Sequence, residues 1–214
     1  MATSFGQGNT QRASIAARKS GFPGLALREF MRSPLAVGSA FPASRFLVDS
    51  MLAPVDWNRI GCVVEYGPGT GIFTRALLER LPGNARILAI DTSAAFIDHL
   101  REEMDDRRLI AVRGSADHVQ RIMADHGVEQ ADCIISGLPF STLPPDRAAR
   151  LMDVSHRSLS PDGLFLAYQM RRAIAPLLHR HFATVETGFE WRNVPPCHLY
   201  WARSPRPFSR SDGP

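Results

Sequence analysis

A chain of 214 residues, 44% hydrophobic and 21% charged, has enough material for one domain with a sizeable core. No apolar run reaches a membrane span, no secretory signal opens the chain, and three cysteines without paired spacing fit neither a disulfide framework nor a zinc site. Of the 25 basic residues 24 are arginine, and residues 1–50 hold six basic against two acidic side chains, so the net +4 can be assigned to the first quarter and implies an anionic partner, nucleic acid or membrane surface.

Residues 1–22 are polar and Gly/Ser-rich without a period, and read as a flexible N-terminal arm in a cytoplasmic protein. From Pro23, "PGLALREFMRS" sets Leu25, Leu27, Phe30 and Met31 among charged residues, as in a short amphipathic helix. "SPLAVGSAFP" interrupts it. "ASRFLVDSML" then predicts a second helix with Phe46, Leu47, Ser50 and Met51 on one side, and residues 23–56 together form an N-terminal helical segment. Residues 57–204 alternate. The runs "CVVEY", "RILAID", "RLIAVR", "DCIISG" and "GLFLAYQ" predict strands, and "FTRALLERL", "SAAFIDHLREEM", "SADHVQRIMADH" and "PDRAARLMDVSHRSL" predict helices between them. Such alternation is α/β: a doubly wound, mostly parallel sheet with helices on both faces. "TVETGFEWRN" and "CHLYWARS" add an antiparallel hairpin at the C-terminal edge, and residues 205–214 read as a disordered tail.

In "VVEYGPGTG", Gly67, Gly69 and Gly71 follow an apolar strand and precede a helix, so backbone can approach a ligand at the strand's carboxyl end. The spacing G-x-G-x-G departs from the dinucleotide fingerprint, with Ile72 where the third glycine would fall. With Glu65 before it, the stretch resembles motif I of class I S-adenosylmethionine-dependent methyltransferases. That resemblance implies a Rossmann-like seven-stranded sheet and S-adenosylmethionine as cofactor. It implies Glu65 near the methionine portion and the three glycines beneath the cofactor. Asp91, ending "RILAID" and followed by Thr92, is implied to hold the ribose hydroxyls. Ser115 and Ala116, beside Asp117, match the segment that borders the adenine in that class, and Ser136, ending the fourth strand at the acceptor side, is implied to contact the cofactor as well.

The acceptor is read from "SGLPF". In ribosomal RNA and DNA adenine methylases the comparable tetrapeptide is N-L-P-Y or D-P-P-Y, whose Asn or Asp carbonyl accepts a hydrogen bond from the base amine. Here Gly137, Leu138, Pro139 and Phe140 keep the proline and the aromatic but not that carbonyl. Phe30, Pro34, Val37, Gly38, Ser39, Pro42, Ser44 and Arg45, with Ala43 for a serine, instead resemble the N-terminal signature of bacterial phospholipid N-methyltransferases; "SGLP" and "NVPPC", from Asn193 to Cys197, match further segments. The resemblance covers residues 25–203. It implies methylation of a phospholipid amine, phosphatidylethanolamine first, by a protein peripheral to the inner face of the membrane. Tyr168 is the candidate for orienting the amine or assisting proton loss. Phe140, Tyr168 and Trp191 are candidates for an aromatic wall against methylated ammonium, and Arg171 and Arg172 for a clamp on the lipid phosphate. The arm and first helix are expected at the anionic membrane surface. An RNA adenine methyltransferase is the alternative, and a catalytically silent cofactor-binding module a third reading.

Overall fold

The computed structural model describes residues 43–205. The N-terminal arm, the first predicted helix, residues 30–42 of the N-terminal signature and the tail beyond Pro205 lie outside the described residues. Seven strands form one sheet: β1 (Cys62–Tyr66), β2 (Arg86–Asp91), β3 (Leu109–Arg113), β4 (Ala131–Ser136), β5 (Leu159–Gln169), β6 (Phe182–Glu190) and β7 (Cys197–Pro205). Their order is β3-β2-β1-β4-β5-β7-β6, with β1 to β5 parallel and β7 antiparallel to both β5 and β6. The predicted hairpin is therefore present at the edge, with β6 outermost and β7 inserted beside β5. Strand order reverses between β1 and β4, at the crevice where doubly wound sheets bind ligands.

Helices α1 (Arg45–Leu52), α2 (Ile72–Arg80), α3 (Ala94–Glu103), α4 (Val119–Asp125), α5 (Pro145–Ser158) and α6 (Ala175–His181) cover the faces. All five β1 residues are buried, as a central strand sandwiched by helices requires. Alternate side chains divide between two cores. Val64 and Tyr66 join Ile134 and Phe165 on the face of α4, α5 and α6, whereas Val63 joins Ile135 and Leu166 with α1 and α2. Helix starts are capped by side chains: Ser44 and Ser93 accept from Leu47 and Phe96 amides, and Pro145 opens α5.

Two elements differ from expectation. The buried face of α1 is Leu47, Val48, Met51 and Leu52. Ser50 is turned instead to donate to Glu190 Oε2 at 2.6 Å, and Phe46 lies under the guanidiniums of Arg45 and Arg192, 4.9 and 4.4 Å from its centroid. β5 begins four residues before the predicted run. Its pairing with β4 shifts between Ala131↔Leu159 and Cys133↔Leu164, so the turn-like "SPDG" is a bulge inside the strand.

Candidate active site

The carboxyl ends of β1, β2, β4 and β5 meet at one rim. After Tyr66 the chain turns through Gly67, Gly69 and Gly71 at φ 66°, 54° and 78°, left-handed conformations that glycine adopts without strain. The turn stays anchored: Gly67 N–H donates to Ile90 O at 2.9 Å and Gly71 N–H to Pro68 O at 2.9 Å. A Cβ on Gly69 would meet nothing within 4 Å, so this part of the turn faces open space. Asp91 lies across from it. One carboxylate oxygen accepts from Gly69 N–H at 3.3 Å and the other from Ser93 N–H at 2.9 Å. An acid fixed beside a side-chain-free bend fits a nucleoside cofactor whose hydroxyls it can accept.

Glu65 is 3% exposed and accepts a 2.7 Å hydrogen bond from Thr74 Oγ1 on α2. Burial pushes its pKa up from 4.5 to about 7; the Thr74 hydrogen bond opposes that rise and the Asp91 charge adds to it. A buried carboxyl so poised suits a cationic ligand group. Ser115 Oγ donates to Asp117 at 2.7 Å, and Arg147 pairs with the same carboxylate at 2.8 Å, which fixes the turn holding buried Ala116. Thr92 is exposed.

On the acceptor side, Tyr168 stacks on Phe73 with centroids 4.8 Å apart and planes at 14°. A Cβ on Gly137 would lie 2.5 Å from the Tyr168 hydroxyl and 3.2 Å from Gly67 O. The glycine is what lets the phenol, the β4 loop and the glycine turn converge. Burial, then the charges of Glu65 and Cys197, raises the Tyr168 pKa above its usual value, so the phenol is protonated at neutral pH. It can orient an amine, but the expected part in proton loss does not follow from a phenol in that state. Ser136 is fully buried and accepts from Leu138 N–H at 3.3 Å, so it shapes the loop from beneath.

The expected aromatic wall is not assembled. Phe140 is 3% exposed and packs in the core under α5, while Trp191 is 71% exposed at the β6–β7 tip. Phe140 instead anchors the loop, its amide donating to Gln169 Oε1 at 3.1 Å while Gln169 Nε2 donates to Leu138 O at 2.7 Å. Gln169, Thr74 and Phe73 were not singled out from the sequence. A polar residue ending an otherwise apolar strand was the one available signal for Gln169. Arg171 and Arg172 follow, both exposed.

A family model described as a methyltransferase domain matches residues 63–163. The ornithine lipid N-methyltransferase of Singulisphaera acidiphila is 30% identical over 181 residues, which span 84% of this chain and 94% of that protein. The ribosomal RNA small subunit methyltransferase A of Caulobacter vibrioides is 40% identical over 81 residues, 37% of this chain and 29% of that one. Among solved structures, the N-methyltransferase NodS from Bradyrhizobium japonicum, in complex with S-adenosyl-L-homocysteine, is similar at TM-score 0.62 and 14% identity, covering 85% of this chain and all of that one. A 1,6-didemethyltoxoflavin-N1-methyltransferase from Burkholderia thailandensis is similar at TM-score 0.59 and 18% identity, over 73% and 76%. At those identities the two structures speak for the fold.

Proposed function

The chain belongs to the class I S-adenosylmethionine-dependent N-methyltransferases, and from that premise we propose that its acceptor is the amine of a membrane phospholipid, phosphatidylethanolamine first, methylated in steps toward phosphatidylcholine. The observation that carries the reading is the Tyr168 hydroxyl standing over Gly137. An Asn at that position, as adenine methylases have, would meet the phenol at its first side-chain atom. The loop is thus built around a tyrosine oxygen. The relative named for N-methylation of ornithine lipid, matched along nearly its whole length, supports a lipid amine.

Bound S-adenosylmethionine supplies a methyl group on a sulfonium, already activated for displacement. Glu65 is assigned to the ammonium end of the cofactor, Asp91 to its ribose, and residues 67–71 to close backbone contact. The lipid ammonium has a pKa of about 10, so the site must take the neutral minority form. Tyr168 then accepts a hydrogen bond from the amine N–H and aims the nitrogen lone pair, a contribution of positioning rather than of base strength. Arg171 and Arg172 are placed at the same rim to pair with a lipid phosphate.

Incubation with methyl-labelled cofactor and either vesicles containing phosphatidylethanolamine, vesicles containing ornithine lipid, or structured RNA tests the reading. Label is expected in phosphatidylethanolamine. Label confined to RNA would overturn the lipid assignment, and label confined to ornithine lipid would replace the headgroup. Tyr168→Phe, which keeps the ring on Phe73, should lower turnover about 10- to 100-fold with cofactor affinity unchanged.

A further inference from the structure

We propose that the tip of the β6–β7 hairpin, together with the residues that follow β5, is the surface on which the protein seats itself against an anionic lipid bilayer. This rests on the reading that the acceptor is a membrane lipid. The large hydrophobic side chains exposed among the described residues are Met170, Phe189, Trp191 and Val194, at 48%, 56%, 71% and 70%. Met170 is distant in sequence from the other three, yet all four lie at one end of the sheet. Gln169 pairs with His198 and Glu190 with Cys197, so Met170 continues beyond β5 where the hairpin turns. The His198 ring is 4.9 Å from that of Phe189, and burial and then the nearby Arg172 charge hold His198 below its ordinary pKa. The register thus places all four side chains at the same end of the sheet, with His198 between the β5 end and Phe189.

Arginines rim it. Arg192 lies 5.9 Å from the Trp191 ring, and Arg192 and Arg45 share the Phe46 ring. Arg171 and Arg172 adjoin Met170. The one acid in residues 189–198, Glu190, is 3% exposed and paired with Arg192 and Ser50, so it offsets Arg192 and leaves the charge of the rim to Arg45, Arg171 and Arg172. Apolar side chains inside a cationic border match an anionic interface: the hydrocarbons enter the acyl boundary and the guanidiniums meet headgroup phosphates. A second copy of the chain fits poorly, because two such rims would repel. Placement agrees with the chemistry. Met170 is two residues from Tyr168, on the rim that carries the glycine turn, so seating turns the mouth toward the bilayer. The headgroup amine then reaches the site without its acyl chains leaving the membrane, a transfer whose cost grows with every methylene exposed.

The native tryptophans provide the test. Trp57 and Trp201 are each 8% exposed with indole N–H groups bonded to Leu52 O and Met51 O, which leaves Trp191 as the environment-sensitive emitter. With the full chain and no methyl donor, phosphatidylglycerol–phosphatidylcholine vesicles should shift the emission to the blue, and brominated acyl chains should quench it. W191S/V194S, which also removes the emitter, should lower the partition coefficient measured by co-sedimentation about tenfold or more, with S-adenosylhomocysteine binding by calorimetry unchanged. Added salt should weaken seating of both forms through screening. Co-sedimentation without a Trp191 shift would overturn the proposal, since another segment would then make the contact. A blue shift that follows protein concentration or added RNA, and not vesicles, would overturn it too. Because no turnover is involved, vesicle insertion without lipid labelling would sink the substrate reading alone. Lipid labelled in detergent while Trp191 ignores vesicles would sink the docking surface alone.

Discussion

Glu65 is held where its ionisation matters most. The folded pKa of about 7 stands above the ordinary 4.5 because burial disfavours the charge, so the ligand-free fold keeps a proton that the unfolded chain has lost. The native state then binds more protons between those two values, and stability falls as pH rises from about 4.5 through 7. Glu65→Gln should remove that slope and leave the ligand-free protein at least as stable as the parent at pH 8, measured by thermal unfolding across pH. An ammonium beside Glu65, a group that S-adenosylhomocysteine also carries, would reverse the preference and favour the carboxylate. Binding of S-adenosylhomocysteine at pH 6 to 7 should therefore release a proton, read by calorimetry in buffers of different ionisation heat. No release would remove Glu65 from the cofactor's ammonium. Glu65, Asp91 and the three glycines were legible in the sequence because each stands at a strand end in a fixed spacing. Phe140 was not, because a proline-aromatic pair reads alike whether the ring faces a substrate or, as here, the core. Gln169 was missed because a hydrogen-bonding clamp on a loop 31 residues earlier has no local signature.

At the scale of elements, α1 is strapped to the hairpin. Ser44 N–H donates to Asn193 Oδ1 at 2.8 Å across 149 residues, Ser50 to Glu190, and Trp201 Nε1 to Met51 O at 2.8 Å. The end of the N-terminal signature, from Ala43 to Arg45, and the "NVPPC" segment, read from the sequence as separate motifs, are two sides of one joint. Asn193 is 5% exposed and its amide also donates to Pro195 O at 2.7 Å. Asn193→Ala leaves the part-buried Ser44 amide and Pro195 carbonyl without this partner and should cost about 1 to 3 kcal/mol in urea unfolding. A loss near zero would mean that water or a neighbour replaces the amide. Strands β1 to β4 matched their predicted runs within a residue because apolar stretches ended in glycine, charge or a cap. The early start of β5 was hidden because residues 160–163 carry turn chemistry, and a bulge spends those residues inside a strand.

Over the whole molecule, alternation of strand and helix was sufficient to give the doubly wound sheet, while the seating of the hairpin required coordinates. No described helix is long and apolar enough to cross a membrane. Charge outside the described residues enters the docking argument by a separate route: residues 1–32 carry five basic side chains against Glu29. Their removal should weaken vesicle association at low ionic strength, with the difference shrinking as salt screens it. Equal sedimentation at low salt would dismiss any contribution from that segment. The strand order also bears on synthesis. Among the described residues, β6 has no neighbour in the sheet except β7, which is translated after it. As the polypeptide leaves the ribosome, β5 therefore presents a bare hydrogen-bonding margin and β6 waits without a seat until β7 emerges between them. The joint to α1 can close only then, so the hairpin end of the sheet is the last part to be completed.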